Sequence, residues 1–478
     1  MTGTRSTRHV LRAACTLAAA ALAVTAAAPA QAAEPTAVTE RVSVGLDNTQ
    51  PNGASYAQGL SADGRLAVFT STASNLVRGD TNGKSDVFVR DLRTGTTERD
   101  SVGEDGAEAN GDSFEATISG SGRYVAFTSS ATNLAPRANL GLTDVYVHDR
   151  LTGSTELIST GDDATAPQKD RSSGSPSISW DGRYVAYQSN RSDLAPGKVT
   201  WRGGNIYVTD RWTGETRLVS VGADGSEANN SSASPVISAD GSTVGFISKA
   251  GNLVAKDQPG ASAPETPADQ NAPADEDFAR PSLRTGDQQE ILKPRNYPFF
   301  VRNLADEETR LASPDDKGSY RGAVSPSLSP DGRFAVYSTP VSHGSSPWAR
   351  HLEVYVRDLE QGTERSVTVA LPGTTTVRDS YDGRMTADDR WVYFSSAADN
   401  LVPGDTNQVS DVFRFDLWNN RTERVSVATD GSQTSGASTG PFIDALGTTV
   451  VFTSEDGTLV PGDTNKAADV FVRRLPRR

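Results

Sequence analysis

The chain has 478 residues, 22% of them charged, a net charge of −14 and a single cysteine, Cys15. A surplus of carboxylates repels phosphate backbones and anionic lipid surfaces, which argues against nucleic-acid binding and membrane-surface roles. One cysteine removes disulfides and thiolate chemistry as sources of stability or reactivity.

In chain order, the first element is a leader. Arg5, Arg8 and Arg12 precede an apolar run from Ala13 to Ala28, and Ala30-Gln31-Ala32 supplies an A-x-A cleavage site. Residues 1–32 therefore read as an export signal, and 33–478 as the mature, extracytoplasmic chain. The apolar run is too short and alanine-rich to span a bilayer, and no transmembrane segment is expected elsewhere. Cys15 leaves with the leader.

Next comes Thr39-Glu40-Arg41-Val42-Ser43-Val44, whose letters recur at Thr422–Val427. Behind it starts a repeat. Ser61–Phe69 has relatives at Ser119–Phe127, Ser179–Tyr187, Ser238–Phe246, Ser329–Tyr337, Thr386–Phe394 and Asp444–Phe452, each ending in an aromatic. A second aromatic register follows at Phe88, Tyr146, Tyr207, Phe300, Tyr355, Phe413 and Phe471. Each unit reads as four short strands. Strand A ends at a Ser-x-Asp-Gly turn, B is apolar, C alternates, and D follows a Thr-Gly or related turn. Repetition of such units is the pattern of propeller blades. The step from Ser238 to Ser329 is longer than the rest. It carries an insertion at about 256–295 rich in Pro, Ala and acid, including Asp257, Glu265, Asp269 and Asp275. That composition reads as a solvated loop, with a lid or partner-binding arm as the functional alternative.

The seventh copy has strands A, B and C but no D. The N-terminal Thr39–Val44 segment is its natural D strand. The predicted fold is all-β: a seven-bladed β-propeller of four-stranded antiparallel blades, closed by the N-terminal strand completing blade seven.

Ser329-Pro330-Asp331-Gly332-Arg333-Phe334-Ala335-Val336-Tyr337 resembles the TolB-like, WD-like propeller repeat, and the resemblance extends over all seven blades. It implies the fold without implying one activity. Similar proteins include TolB itself, the propellers of prolyl-oligopeptidase-like peptidases and some polysaccharide lyases. The chain departs from the TolB pattern in having only a few residues between the leader and the first strand, where an α/β domain would stand.

Alternating strands put the A–B and C–D turns on one face and the B–C and D–A loops on the other. The second set varies more, so a ligand is expected there. Gly-Asp-Thr-Asn loops on that face bring oxygen ligands together as Asp80, Asn82 and Asp86, as Asp405, Asn407 and Asp411, and as Asp463, Asn465 and Asp469. Half of a calcium loop is one reading. A turn held by side chain to backbone bonds is the other, because three oxygens leave a coordination number of 6–8 unfilled. Blade five gathers His343, Trp348, His351 and Glu353 in and beside its B–C loop, a candidate binding or metal-assisted cluster. His148, on strand C of blade two, reads as a surface position. Gly436-Ala437-Ser438-Thr439-Gly440 matches G-x-S-x-G, but there is no α/β sheet to make it a nucleophile elbow. Ser438 also aligns with Ser55, Ser113, Ser173, Ser232 and Ser380, which marks it as a repeat residue. No catalytic residue is assigned.

The expected function is that of a secreted, non-enzymatic, monomeric scaffold binding a protein or glycan on the B–C/D–A face. The alternatives are a metal-assisted polysaccharide lyase or hydrolase, and a calcium-stabilised structural protein of the cell envelope.

Overall fold

The structure, a computed structural model, describes residues 37–136, 142–161, 172–197, 199–200, 203–255, 297–315, 319–342, 350–375 and 378–476. The leader and the insertion at 256–295 lie outside the described residues.

Each blade starts from a turn closed by its own side chains. In blade one the Ser61 hydroxyl donates to Asp63 Oδ1 (2.5 Å), and the same oxygen accepts the Arg65 amide (3.0 Å). Ser61 Oγ in turn accepts from the Leu66 amide (2.9 Å). Gly64 takes φ 71°, a conformation that strains any other residue. Asp181, Asp240 and Asp331 repeat these contacts. The turn folds strand A onto strand B. Blade one is the sheet Ser55–Leu60, Leu66–Ser71, Asp86–Asp91, Thr96–Arg99, strands A to D from the axis outward.

Six more four-stranded sheets repeat this order. In blade seven, strands A to C are Ser438–Ile443, Thr449–Ser454 and Asp469–Arg474, and the fourth place is taken by Val38–Arg41 from the N-terminus. Thr39 pairs with Arg473 and Arg41 with Phe471. Val42 and Ser43 continue the strand by hydrogen bonds to Val470 O (2.7 and 3.4 Å). The chain is a seven-bladed propeller closed as the repeat predicts.

The two aromatic registers are a cross-strand pair. Phe69 lies opposite Phe88, and the equivalent B and C residues meet in every blade with ring centroids 5.7–6.4 Å apart. The pair points toward the preceding blade, so the core lies between blades. Phe69 and Phe88 pack with Val451, Val470 and Val472 of blade seven and with Val42 of the closing strand. Each of the other six junctions holds a similar cluster.

Two features tie the innermost ring. Strand A bulges near its start, at a residue that adopts φ 47–64° in six blades: Glu115, Ser175, Ser234, Ser325, Asp382 and Gly440. The A–B turns are also linked blade to blade by backbone bonds. Ala62 N donates to Gly120 O, Ser121 N to Trp180 O, Trp180 N to Ala239 O, Ala239 N to Pro330 O, Ala387 N to Ala445 O and Ala445 N to Ala62 O. The step from blade five to blade six is missing because Pro330 has no N–H to donate.

Candidate functional site

The Gly-Asp-Thr-Asn loops of the B–C/D–A face are held by the same contacts in blades one, six and seven. Asn82 Oδ1 accepts the Lys84 amide (2.8 Å), and Asn82 Nδ2 donates to Asp86 Oδ2 (2.9 Å). Asp86 Oδ1 accepts the Ser101 hydroxyl (2.6 Å). Between the two carboxylates lies a guanidinium: Arg99 Nη1 is 3.5 Å from Asp80 and 3.6 Å from Asp86. Blade six repeats this with Arg424 at 3.0 Å from Asp405 and 3.7 Å from Asp411. Blade seven repeats it across the chain ends, with Arg41 at 2.9 Å from Asp463 and 3.7 Å from Asp469. Burial pushes the carboxyls of Asp86, Asp411 and Asp469 upward, and the neighbouring arginine pulls each the other way. Asn407 and Asn465 bond their blade's acid as Asn82 does.

This donor set does not fit a calcium ion. A calcium ion needs a shell of oxygens, whereas a protein cation already lies between the paired carboxylates and each asparagine turns its NH₂ group toward them. Comparison of the blades supports the same conclusion. The last D-strand residue is Arg41, Arg99 or Arg424 where the Gly-Asp-Thr-Asn loop is present, and Leu157, Leu218, Leu311 or Ser366 where it is not. The strand-C acid follows a cation in the same way. Asp144 has Arg191 of blade three at 3.6 Å, while blade three, ending in Leu218, has the neutral Asn205. We read these loops as arginine clamps that fasten the D strand to its blade.

Blade five is a variant of the clamp. Glu353 occupies the strand-C position, accepting the Ser366 hydroxyl (3.0 Å), with His351 Nε2 3.2 Å from its other oxygen. Both residues are buried. His351 is part of a strand, where its position beside an irregular loop had suggested a loop residue: strands B and C of this blade, Phe334–Ser342 and Arg350–Asp358, run nine residues each. The other blades' B and C strands have six residues or fewer. Strand pairing in blade five therefore continues further on the B–C/D–A side as a two-stranded arm, with Val341 paired to His351 and Ser342 to Arg350. His343 and Trp348 lie outside the described residues. Among the described residues, no three His, Cys, Asp or Glu side chains gather as a metal's ligands would.

One further assignment changes. His148 is buried at 6% exposure, because its imidazole turns inward to Thr155 Oγ1 (2.9 Å) and Thr155 bonds Val102 O of the preceding blade. Burial pushes that imidazole down to about 4, so it is neutral at pH 7. Ser438 is fully buried and shares a hydrogen bond with Ser454 Oγ (2.9 Å). Ser55, Ser113, Ser173, Ser232 and Ser380 make the same pair with the serine ending strand B. These serines join strand A to strand B through hydroxyl–hydroxyl bonds.

The sequence reading overlooked the opposite face. Among the described residues the large exposed tryptophans stand on A–B or C–D turns: Trp180 (52%), Trp212 (66%) and Trp418 (68%). Trp212 and Trp418 are equivalent residues in blades three and six. Each stacks on an arginine, Arg183 at 4.7 Å and Arg390 at 5.0 Å, which is itself paired to Asp210 or Asp416. The signal was available in the letters, since an indole at a turn tip has no core to enter.

No family model matches the chain, and no curated protein does. Solved structures do. An oligogalacturonate lyase in complex with manganese is 14% identical over 93% of this chain and 94% of its own, with a TM-score of 0.52. TolB from Acinetobacter baumannii is 12% identical over 77% of this chain and 62% of its own, with a TM-score of 0.37. The propeller domain of the trilobed protease from Pyrococcus furiosus is 12% identical over 88% and 93%, with a TM-score of 0.47. At these identities the likeness is one of fold. The chain is a β-propeller whose structural neighbours include TolB proteins, and such scaffolds carry unrelated activities.

Proposed function

We propose that the chain is a secreted, non-enzymatic scaffold that binds a protein or glycan partner on its B–C/D–A face. The observation that carries this reading is the two-stranded arm of blade five, Phe334–Ser342 with Arg350–Asp358, whose paired strands are longer than those of any other blade. The acids most suggestive of chemistry on this face, those of the clamps and Glu353, have internal cations or hydroxyls as partners. A rigid ring with one extended arm suits recognition.

The test is photo-cross-linking from position 350 of the full chain in the exported fraction of its own cells. The control is a variant in which Thr339–Leu352 is cut to a short turn. The reading expects one dominant adduct that the trimmed chain does not form. An unchanged adduct pattern in the trimmed chain would sink it. Release of ultraviolet-absorbing unsaturated products from oligouronides would instead establish a lyase.

A further inference from the structure

We propose that the cleft between blades six and seven on the A–B/C–D face binds one neutral sugar residue of a glycan, with Trp418 beside it as a stacking platform. This site is separate from the arm of blade five and lies on the opposite face.

The cleft has a volume of about 230 Å³ and is lined by Asp388, Trp391, Arg414, Leu446, Thr448 and Pro476. That is below the roughly 300–1,000 Å³ of sites that enclose drug-sized ligands, and suits a single ring. Its walls are prebuilt. Tyr393 Oη donates to Gly447 O (2.6 Å), and the Thr448 amide and hydroxyl both donate to Asp444 (2.7 and 2.6 Å). A site that needs no rearrangement loses little entropy on binding.

The polarity of the lining selects the ligand. Arg414 and Arg390 lie over the Trp391 ring at 4.2 and 4.9 Å, so what Trp391 offers the cleft is its edge. Trp391 is 6% exposed, and its indole N–H meets no acceptor among the described residues. The indole nitrogen itself is not sealed from solvent, so this donor is open to a ligand hydroxyl. Asp388 is an exposed acceptor on the rim. Leu446, 45% exposed, and Pro476 add apolar surface. One donor, one acceptor and an apolar wall match a pyranose, which has a C–H face and a rim of hydroxyls. Both guanidinium groups already hold carboxylates, Arg390 with Asp416 at 2.8 Å and Arg414 with Glu423 at 2.5 Å. Among the described residues the two guanidinium groups at the cleft are thus already paired, which favours a neutral sugar.

Trp418 extends the site. Its ring is one guanidinium layer from Trp391, because Arg390 lies 4.9 Å from one and 5.0 Å from the other. Arg390 backs one side of the indole and the ring is 68% exposed, so a face is left on which the C–H groups of a further sugar can stack. A protein partner would need a continuous apolar patch. Trp418 instead stands among Asp416, Asn419, Asn420 and Arg421.

The experiment is isothermal titration of the full chain with cello-, xylo-, manno- and chito-oligosaccharides, with oligogalacturonate as the acidic control. At least one neutral series should bind, and oligogalacturonate should bind more weakly. Trp418→Ala and Trp391→Phe should each weaken binding about tenfold or more. Trp212→Ala in blade three should leave it unchanged, as should trimming the blade-five arm. Should Trp391→Phe fail to fold, Leu446→Asp at the exposed rim replaces it. The proposal is overturned if no neutral oligosaccharide binds, if binding is indifferent to Trp418→Ala and the cleft variant, or if Trp418→Ala abolishes capture of a protein while no sugar binds. An adduct pattern unchanged by trimming the arm, with sugar binding intact, would sink only the proposed function of the other face.

Discussion

Asp100 stands where the other blades place Val42, Ile158, Val219, Ala312, Val367 and Val425, the residues that carry each D strand into the core. It is 2% exposed, and Arg150 of blade two lies 3.1 Å away in a geometry that forms no aligned hydrogen bond. Burial raises its carboxyl to about 7, against the opposing pull of Arg150. The native state therefore keeps a proton that the unfolded chain has released, and stability falls as pH climbs from about 4 toward 7. Asp100→Val should raise the melting temperature, by more at pH 8 than at pH 4. Denaturant titrations at the two pH values would show it, and an equal or negative effect at pH 8 would refute the assignment. Burial also raises the strand-C acids of the clamps, each against the pull of its clamp arginine. Arg99→Leu strands Asp80 and Asp86 and should cost about 3 kcal/mol, the order found when one partner of a buried pair is removed. Adding Asp86→Asn reproduces the Leu218 and Asn205 combination of blade three, and should recover part of that loss in urea titrations. Thermal unfolding with millimolar calcium or with EDTA should give the same midpoint, since a guanidinium already lies between the carboxylates; a calcium-dependent rise would contradict this.

At the scale of single elements, the strands most legible in the sequence are B and C. Their aromatic registers are forced to recur because Phe69 and Phe88, and their six equivalents, must meet across the sheet. Strand A was less legible. Its bulge is a backbone conformation, and the residues that adopt it, Glu115, Ser175, Ser234, Ser325 and Asp382, are polar types common throughout the chain. The available hint was Pro176, Pro235, Pro326 and Pro441 at the next position, where a ladder N–H is not needed. The clamps were half legible. The acids stood out as a motif, but their arginines lie on a different strand, and only the loss of both together in other blades connects them. Pro330 shows how one residue alters an element's links. Pro330→Ala would supply the missing donor toward Ala387 O, worth about 1 kcal/mol, while giving up the roughly 0.4–1 kcal/mol by which proline restrains the unfolded chain. Overall stability should barely change, yet the new amide at 330 should exchange slowly with solvent. Fast exchange there would show that the turn ring does not extend across that step.

For the whole molecule, closure decides whether the other interactions persist. Each junction between blades holds a hydrophobic cluster, so a ring has one more such junction than the same blades in an open arc. The junction of blades seven and one is secured by the N-terminal strand. Val42 lies in its core, Ser43 Oγ donates to Asp469 (2.7 Å), Arg41 fills the clamp of Asp463 and Asp469, and Thr39 Oγ1 donates to Val427 O (2.7 Å). The closing strand also reaches past its own sheet, because Arg473 donates to Thr39 Oγ1 and to Val427 O and Ala428 O, joining blade six to blade seven. Removing Val38–Val44 would strip these contacts together. It would leave Asp463 and Asp469 without their arginine and expose the outer edge of Asp469–Arg474 as an unpaired strand. The truncated chain should melt at a lower temperature and self-associate through that edge, visible as dimers or larger species in size-exclusion chromatography with light scattering. A synthetic peptide spanning residues 37–45 should restore both properties when added in excess, since it binds the folded ring and not the unfolded chain. Arg41→Leu in the intact chain separates the two contributions. It empties one clamp but keeps the strand, so it should lower the melting temperature without producing the larger species.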